Sequence, residues 1–155
     1  DFEKAKKEGW VRADLKPEFI IEMLGVIKSK MQDENFLKMF NSMDEAIMEL
    51  SNFFFEAPTT YDEKVFKKAI KEDTPELLKE LIAVINGITE DFEKDLVQKT
   101  IKDWITSKEI GFGKVMQPLR LSLVGSMSGP DVFDIAATIG KAKTLERIRF
   151  AIETL

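Results

Sequence analysis

The sequence predicts an all-α protein, and three observations support that prediction. Apolar residues recur at the three- and four-residue spacing of amphipathic helices along most of the 155 residues. The capping-box pattern, Ser or Thr followed three residues later by Glu, occurs at Ser42 to Glu45 and at Thr60 to Glu63. No run of residues alternates apolar and polar side chains convincingly, as a half-buried strand does.

The sequence of the N-terminal part predicts two helices. Pro17 suits a first helical position, and apolar residues follow it at helical spacing to about Lys30. The capping box at Ser42 opens the second helix. Three adjacent phenylalanines, 53–55, cannot share one helical face, so we expect a wedge between two helical layers. An aromatic platform for single-stranded bases is the alternative.

A subdomain boundary is predicted where Pro58, Thr59 and Thr60 interrupt the helical pattern. The chain is therefore divided into residues 1–58 and 59–155. The helix opened by Thr60 is rich in lysine, at positions 64, 67, 68 and 71. A solvated helix face explains these lysines, and a phosphate-binding patch is the alternative.

Two helices are expected in the middle of the second part. Thr74 as N-cap and Pro75 in the first turn start a helix that stops at Asn86 and Gly87. Thr89 is expected to cap the next helix. The apolar stripe of that helix is predicted to comprise Phe92, Leu96, Thr100, Trp104 and Ile105.

Residues 113–141 hold four of the eight glycines and two of the five prolines, set among aliphatic side chains. Glycine and proline in such surroundings mark backbone geometry that a fold or a ligand requires. We expect a helix from about Lys114 to Val124, starting late enough to accommodate Pro118 in its first turn.

A turn over residues 125–130 is expected to follow. Ser128 or Gly129 is predicted to cap a helix that has Pro130 in its first turn and ends at Gly140. Such a turn exposes backbone N–H groups at a helix N-terminus, where an anion or the edge of a base can bind.

The composition excludes several kinds of chemistry. The sequence has no Cys and no His, so thiol nucleophiles, Ser-His triads, disulfides and the usual zinc sites are ruled out. It also lacks the glycine-rich phosphate loops, the nucleophile elbow and any metal-ligand cluster. We predict no catalytic residue and no metal site.

Charge is unevenly distributed along the chain. The net charge is −5, but from Lys108 onward seven basic and five acidic residues leave +2, so the first 107 residues carry −7. A polyanion should prefer the C-terminal third. The absence of a signal or transit pattern and of cysteine agrees with a cytoplasmic protein without a membrane span. Because the sequence opens on Asp1 rather than Met, we expect a fragment of a longer chain.

Gln117 and Arg120 are the best candidates for ligand contacts. Three residues apart on a helix, they face the same side beside the predicted turn. Arg can fork onto a base or a phosphate, and Gln can donate and accept at once, which suits an unstacked nucleotide. The alternative is that Arg120 only ties the turn to a neighbouring carboxylate.

These residues belong to a set of segments that resembles the C-terminal end of bacterial glutamyl-tRNA synthetases. The segments span most of the chain and comprise Leu50 to Pro58, Tyr61 to Lys64, Lys71 to Pro75, Gly113 to Arg120, Leu123 to Gly125, Gly129-Pro130, Phe133 to Ile135, Gly140-Lys141 and Thr144 to Ile148. The combination of Gln117-Pro118-x-Arg120 with Gly129-Pro130 is the most specific.

The resemblance implies two α-helical anticodon-binding subdomains that form a helical cage or bundle beyond a catalytic domain of the same chain. It places Gln117, Arg120, Gly129, Pro130 and Val132 against the anticodon nucleotides of tRNA(Glu). Basic side chains would hold phosphates of the anticodon stem-loop, and the candidates are Lys114, Lys141 and Lys143.

The resemblance also implies a ligase, an aminoacyl-tRNA synthetase of protein biosynthesis, that uses ATP and magnesium. The HIGH-like and KMSKS-like signatures of the ATP site are absent, so the fragment alone is expected to be non-catalytic and to hold no cofactor. The alternative function is a helical protein-interaction domain that keeps the fold without binding RNA.

Overall fold

The computed structural model describes residues 17–32, 57–61, 63–127 and 129–154, together with the single positions 7, 34, 38 and 42. Internal contacts divide the chain into two compact units, 1–51 and 52–155. The subdomain boundary expected after Pro58 stays a prediction. The capping box at Ser42, apart from Ser42 itself, and the three phenylalanines 53–55 lie outside the described residues.

The described elements are all helical, which confirms the predicted fold class. The first unit contributes α1, Pro17–Met31, which begins at the proline as expected. The helices of the second unit are α2 (Glu63–Ala69), α3 (Thr74–Asn86), α4 (Lys94–Ser107), α5 (Phe112–Val124) and α6 (Val132–Thr154). None of the six combines the length and the apolar character that crossing a membrane requires.

The core of the second unit forms around α6, which packs against α3, α4 and α5. Each of these helices contributes buried aliphatic side chains, and the phenylalanine at 133 adds an aromatic ring. The fully buried members with the largest side chains include Leu78, Leu81, Ile85, Ile101, Leu119, Leu123 and Ile148. Burial of each such side chain contributes about 1.5–3 kcal/mol relative to exposure, so this cluster holds the unit together.

Helix α3 begins and ends where expected, but its predicted cap is wrong. Thr74 is the first helical residue and Asp73 precedes it. The Thr74 hydroxyl accepts a hydrogen bond from the Lys71 N–H at 2.8 Å, so it closes the preceding turn instead of capping α3. Pro75 lies in the first turn as predicted, because its missing N–H costs nothing there.

Helix α4 begins later than predicted and buries a different stripe. It starts at Lys94, whereas the Thr89 hydroxyl bonds to the Glu90 carboxylate. Its buried residues are Val97, Ile101 and Ile105, spaced at four. Most members of the predicted stripe are only partly buried, namely Phe92, Leu96, Thr100 and Trp104. The predicted residues Phe92, Leu96 and Trp104 nevertheless pack against the core, and Ile105 belongs to it.

Helix α5 starts at Phe112, so the predicted late start is wrong and Pro118 lies inside the helix. Proline has no N–H to donate to the carbonyl of Lys114, which costs a hydrogen bond of the helix. The side chain of Pro118 is buried, and its carbonyl accepts from the Ser122 hydroxyl at 2.8 Å. Burial of the ring offsets part of that cost.

Helix α6 is interrupted at Gly140, where the backbone is non-helical at φ 84° and ψ 165°. The predicted helix end at Gly140 is thereby confirmed for the first half of α6. Before the break the buried face runs through Val132, Ala136 and Ile139, and after it through Leu145 and Ile148. Both halves therefore bury side chains in the core, on either side of the interruption.

Gly125 ends α5 in the left-handed conformation, at φ 77°, and its N–H donates to the Leu121 carbonyl. A Cβ at this position would lie 2.9 Å from the Cβ of Pro58 and 3.2 Å from the carbonyl oxygen of Thr60. Glycine is therefore required twice, for the backbone angle and for the close approach of residues 58–60.

We predict that Gly125→Ala lowers the free energy of unfolding by about 2 kcal/mol or more, because left-handed strain adds to the clash with Pro58. Urea denaturation of the 155-residue chain measures the change. Gly113→Ala is the matched control, since a Cβ there has nothing nearer than 3.6 Å. It should shift stability by less than about 1 kcal/mol. Equal stability of the two variants would contradict this account of the turn.

Candidate functional site

A surface depression of about 290 Å³ lies between α4, α5 and the start of α6. It contains three of the five residues predicted to contact a ligand, Gln117, Arg120 and Val132. The other residues that line it are Gln98, Lys102, Phe112, Met116, Met127, Asp131 and Phe133. The three-residue spacing of Gln117 and Arg120 therefore brings both side chains to one concave surface, as predicted.

Arg120 joins the depression to the turn that precedes α6. Its Nη2 donates a hydrogen bond to the Pro130 carbonyl at 2.8 Å, and its side chain is half-buried. Burial lowers the pKa of the Arg120 guanidinium, and the nearby Asp131 carboxylate opposes that shift. Arg120 therefore holds the turn, as the alternative interpretation expected, but its partner in this hydrogen bond is a backbone carbonyl and not a carboxylate.

Gly129 and Pro130 are connected to the depression by Arg120, which donates a hydrogen bond to the Pro130 carbonyl. Pro130 is buried, and Gly129 has a φ of 109°. This positive φ is readily adopted by glycine. Neither residue lines the depression itself, so these two predicted contacts are not brought to the same surface as Gln117 and Arg120.

The cap of α6 differs from the prediction. Asp131 is the capping residue, since its Oδ1 accepts from the Phe133 N–H at 2.8 Å. Pro130 precedes the helix instead of lying in its first turn, and Ser128 lies outside the described residues. A carboxylate already satisfies part of this helix terminus, so the depression favours a hydrogen-bond donor or a flat apolar group there over a phosphate.

The Lys114 side chain, a predicted phosphate contact, is paired with Asp73. The Lys114 Nζ lies 2.6 Å from the Asp73 Oδ2, and both side chains are about half exposed. The hydrogen bond from Lys114 lowers the pKa of the Asp73 carboxyl below its usual 3.8. This pair ties the first turn of α5 to the start of α3.

Lys141 hydrogen-bonds to backbone carbonyls. Its Nζ donates to the carbonyl oxygens of Asn86 and Ile88, both at 2.8 Å. These carbonyls lie at the C-terminal end of α3, where a positive charge is favourable. Lys143 is half-buried in the second half of α6. The phosphate-binding roles of all three lysines stay predictions.

Several lining residues were not singled out from the sequence. Gln98 and Lys102 come from α4, and their four-residue spacing placed them on one helical face. Phe112 and Met127 also line the depression, although both are largely exposed to solvent. An ion pair between Lys94 and Asp134, at 2.8 Å, joins α4 to α6 near this wall, and its hydrogen bond raises the pKa of Lys94.

A second groove, of about 320 Å³, lies near the C-terminal end of α6. Pro58, Phe150 and two glutamates, Glu146 and Glu153, line it. Its floor includes Arg147, a buried residue whose Nη1 donates to the Leu123 carbonyl at 2.7 Å. Among the described residues, no group of acidic side chains is arranged to hold a metal ion.

Comparison with known proteins identifies relatives of the chain. The anticodon binding domain family matches residues 38–152. The chain is 58% identical over 109 residues to the glutamate–tRNA ligase of Flavobacterium psychrophilum, covering 70% of this chain and 21% of that protein. It is 44% identical over its full 155 residues to the Christiangramia forsetii enzyme, and covers 28% of it.

A solved structure that resembles this chain is also that of a glutamate tRNA ligase. The crystal structure of a glutamate tRNA ligase from Elizabethkingia meningosepticum, in complex with its amino acid, superposes with a TM-score of 0.78 at 37% identity. The match covers 99% of this chain and 28% of that one. The resemblance seen in the sequence is thereby confirmed. The chain spans about a quarter of the length of these relatives, 21–28%.

We predict that Lys114→Met raises the pKa of the Asp73 carboxyl toward 3.8, because the hydrogen-bond donor is removed. An Asp pKa lowered by folding stabilises the native state above the unfolded-state pKa, and that contribution is lost as pH falls through the lowered folded value. The stabilisation that the Lys114–Asp73 pair contributes is therefore lost in the pH range below 3.8. Carboxyl NMR titration checks the shift, and an unchanged Asp73 pKa would contradict the pairing.

We predict that Lys141→Met lowers the free energy of unfolding by about 1 kcal/mol, because two carbonyls at the end of α3 lose their donor. Lys79→Met is the control, since Lys79 only pairs with Glu76 on the same exposed helix face. That pair should contribute less than about 0.5 kcal/mol. An unchanged free energy of unfolding in Lys141→Met would contradict this structural role of Lys141.

Proposed function

Because this chain belongs to the anticodon binding domain family, we propose that it is the tRNA-binding portion of a glutamate–tRNA ligase and recognises the anticodon loop of tRNA(Glu). The observation that carries the proposal is the shared depression of Gln117, Arg120 and Val132 on α5 and α6. The depression presents hydrogen-bond donors and acceptors beside an apolar floor, which is what an unstacked base requires.

Arg120 is the main recognition residue in this proposal. Its guanidinium is half-buried and oriented by the Pro130 carbonyl, so little side-chain freedom is lost when a base binds. Gln117, one turn earlier, can both donate to and accept from a base edge. Lys102 and the predicted phosphate contacts Lys114, Lys141 and Lys143 supply positive charge for the RNA backbone.

The remainder of the reaction belongs to a catalytic domain of the same parent chain. That domain would use ATP and magnesium to attach glutamate to tRNA in the cytoplasm, and the present fragment would supply binding without catalysis. The upstream unit and the C-terminal unit would then correspond to the two helical anticodon-binding subdomains of the resemblance.

We predict that Arg120→Ala weakens binding of tRNA(Glu) by ~1–3 kcal/mol, about 5- to 150-fold, because a bidentate contact to a base is lost. Filter binding or gel shift at fixed low salt measures the change. Arg120→Lys, which keeps the charge but loses the planar fork, should show most of the same loss. Thermal melting verifies that each variant is folded.

Arg149→Ala is the matched control, because Arg149 is an exposed arginine of α6 outside the depression. It removes the same charge and should weaken binding far less. Affinity should also fall as salt rises, in line with counterion release. Equal binding of RNAs with scrambled anticodons would refute anticodon recognition. Absence of RNA binding at high micromolar protein would favour the protein-interaction alternative.

A further inference from the structure

The depression has an apolar part to which the recognition residues Gln117 and Arg120 do not contribute. Among the described residues, five large hydrophobic side chains are exposed, and two of them, Phe112 at 46% and Met127 at 42%, line this depression. Exposed apolar side chains that gather at one concave site, with polar groups beside them, are typical of ligand contacts.

Below Phe112 and Met127 the floor is also apolar. Val132 and Phe133 are buried in the core, and Met116 packs against it. The polar groups come from Gln98, Lys102, Gln117, Arg120 and Asp131. The site therefore offers apolar surface for the face of a flat molecule and hydrogen-bonding groups for its edge.

The size and charge of the depression limit further the kind of ligand that it can bind. Its 290 Å³ is at the small end of ligand sites, which suits one ring system better than a peptide helix. The Asp131 carboxylate at the start of α6 disfavours a phosphate in the depression, whereas Arg120 and Lys102 favour an anionic backbone beside it. A single unpaired nucleobase fits both conditions.

The chain on either side of Phe112 also leaves the ring accessible. It stands between Gly111 and Gly113, both exposed, and neither presents a side chain beside the ring. A Cβ placed at Gly111 would meet no atom within 4 Å, so the space on that side is open. The aromatic ring is therefore open to a base approaching from solvent.

We propose that Phe112 stacks on one unpaired base of the bound RNA, and that Met127 lies against the same base while Gln117 and Arg120 reach its edge. This inference rests on the proposed function, since it assumes that RNA occupies the depression. Stacking on an aromatic side chain tolerates any base, so Phe112 contributes affinity, and the edge contacts contribute specificity.

The experiment uses the 155-residue chain and an RNA hairpin with the anticodon loop of tRNA(Glu), in which 2-aminopurine replaces one loop nucleotide at a time. Stacking on Phe112 should quench the fluorescence at one position. Phe112→Ala should abolish that quenching and weaken binding about 5- to 150-fold. Phe112→Trp should retain both, because indole also offers an aromatic face.

Phe150→Ala is the matched control, since Phe150 is an exposed phenylalanine, at 39%, that lines the other groove. It should leave quenching and affinity unchanged. An abasic site at the quenched position should weaken binding of the unmodified chain more than it weakens binding of Phe112→Ala, because the variant has already lost the stacking contact and keeps only the edge contacts to lose.

Two results overturn the inference, and they are distinguishable. If the unmodified chain does not bind the hairpin, the proposed function fails and this inference fails with it. If the unmodified chain binds but Phe112→Ala binds and quenches equally well, only the stacking role of Phe112 is refuted.

Discussion

The C-terminal unit depends on a turn that has room for no side chain, because a Cβ at Gly125 would come within 2.9 Å of Pro58. This close approach ends α5 and starts the return of the chain toward α6. The buried Arg147 holds the adjacent Leu123 carbonyl, and Arg120 holds the Pro130 carbonyl at the far end of the turn. Two arginines thus satisfy backbone groups on either side of one glycine, and Arg120 connects that turn to the depression.

Several lysines of the C-terminal unit take part in structural contacts. Lys114 pairs with Asp73, Lys94 with Asp134, and Lys141 binds the carbonyls that end α3. The chain as a whole is acidic, at −5. In the proposed complex, positive charge would hold the RNA backbone, and discrimination would rest on oriented groups at short range.

Sequence reasoning succeeded where local rules act alone and failed where the partner helix decides. The three-residue spacing put Gln117 and Arg120 on one face, and that required only helical geometry. Which row of α4 is fully buried depends on the neighbours of α4, so Val97 and Ile101 were missed. The predicted residues Phe92, Leu96 and Trp104 pack against the core while remaining partly exposed. The roles of Gln98, Lys102 and Phe112 depend equally on tertiary packing. The predicted N-cap of α6 was wrong because Ser128, Gly129 and Asp131 are all of residue types that are favoured at N-caps.

The break at Gly140 uncouples the two halves of α6. In an uninterrupted helix, one inserted residue rotates everything beyond it by about 100° and would turn a buried face toward solvent. A Cβ at Gly140 would meet nothing within 4 Å, so the glycine serves the backbone angle alone. The half that begins at Val132 and lines the depression, and the half that carries Arg147, can therefore change in length independently during evolution. Insertions and deletions among homologous chains should concentrate at this joint.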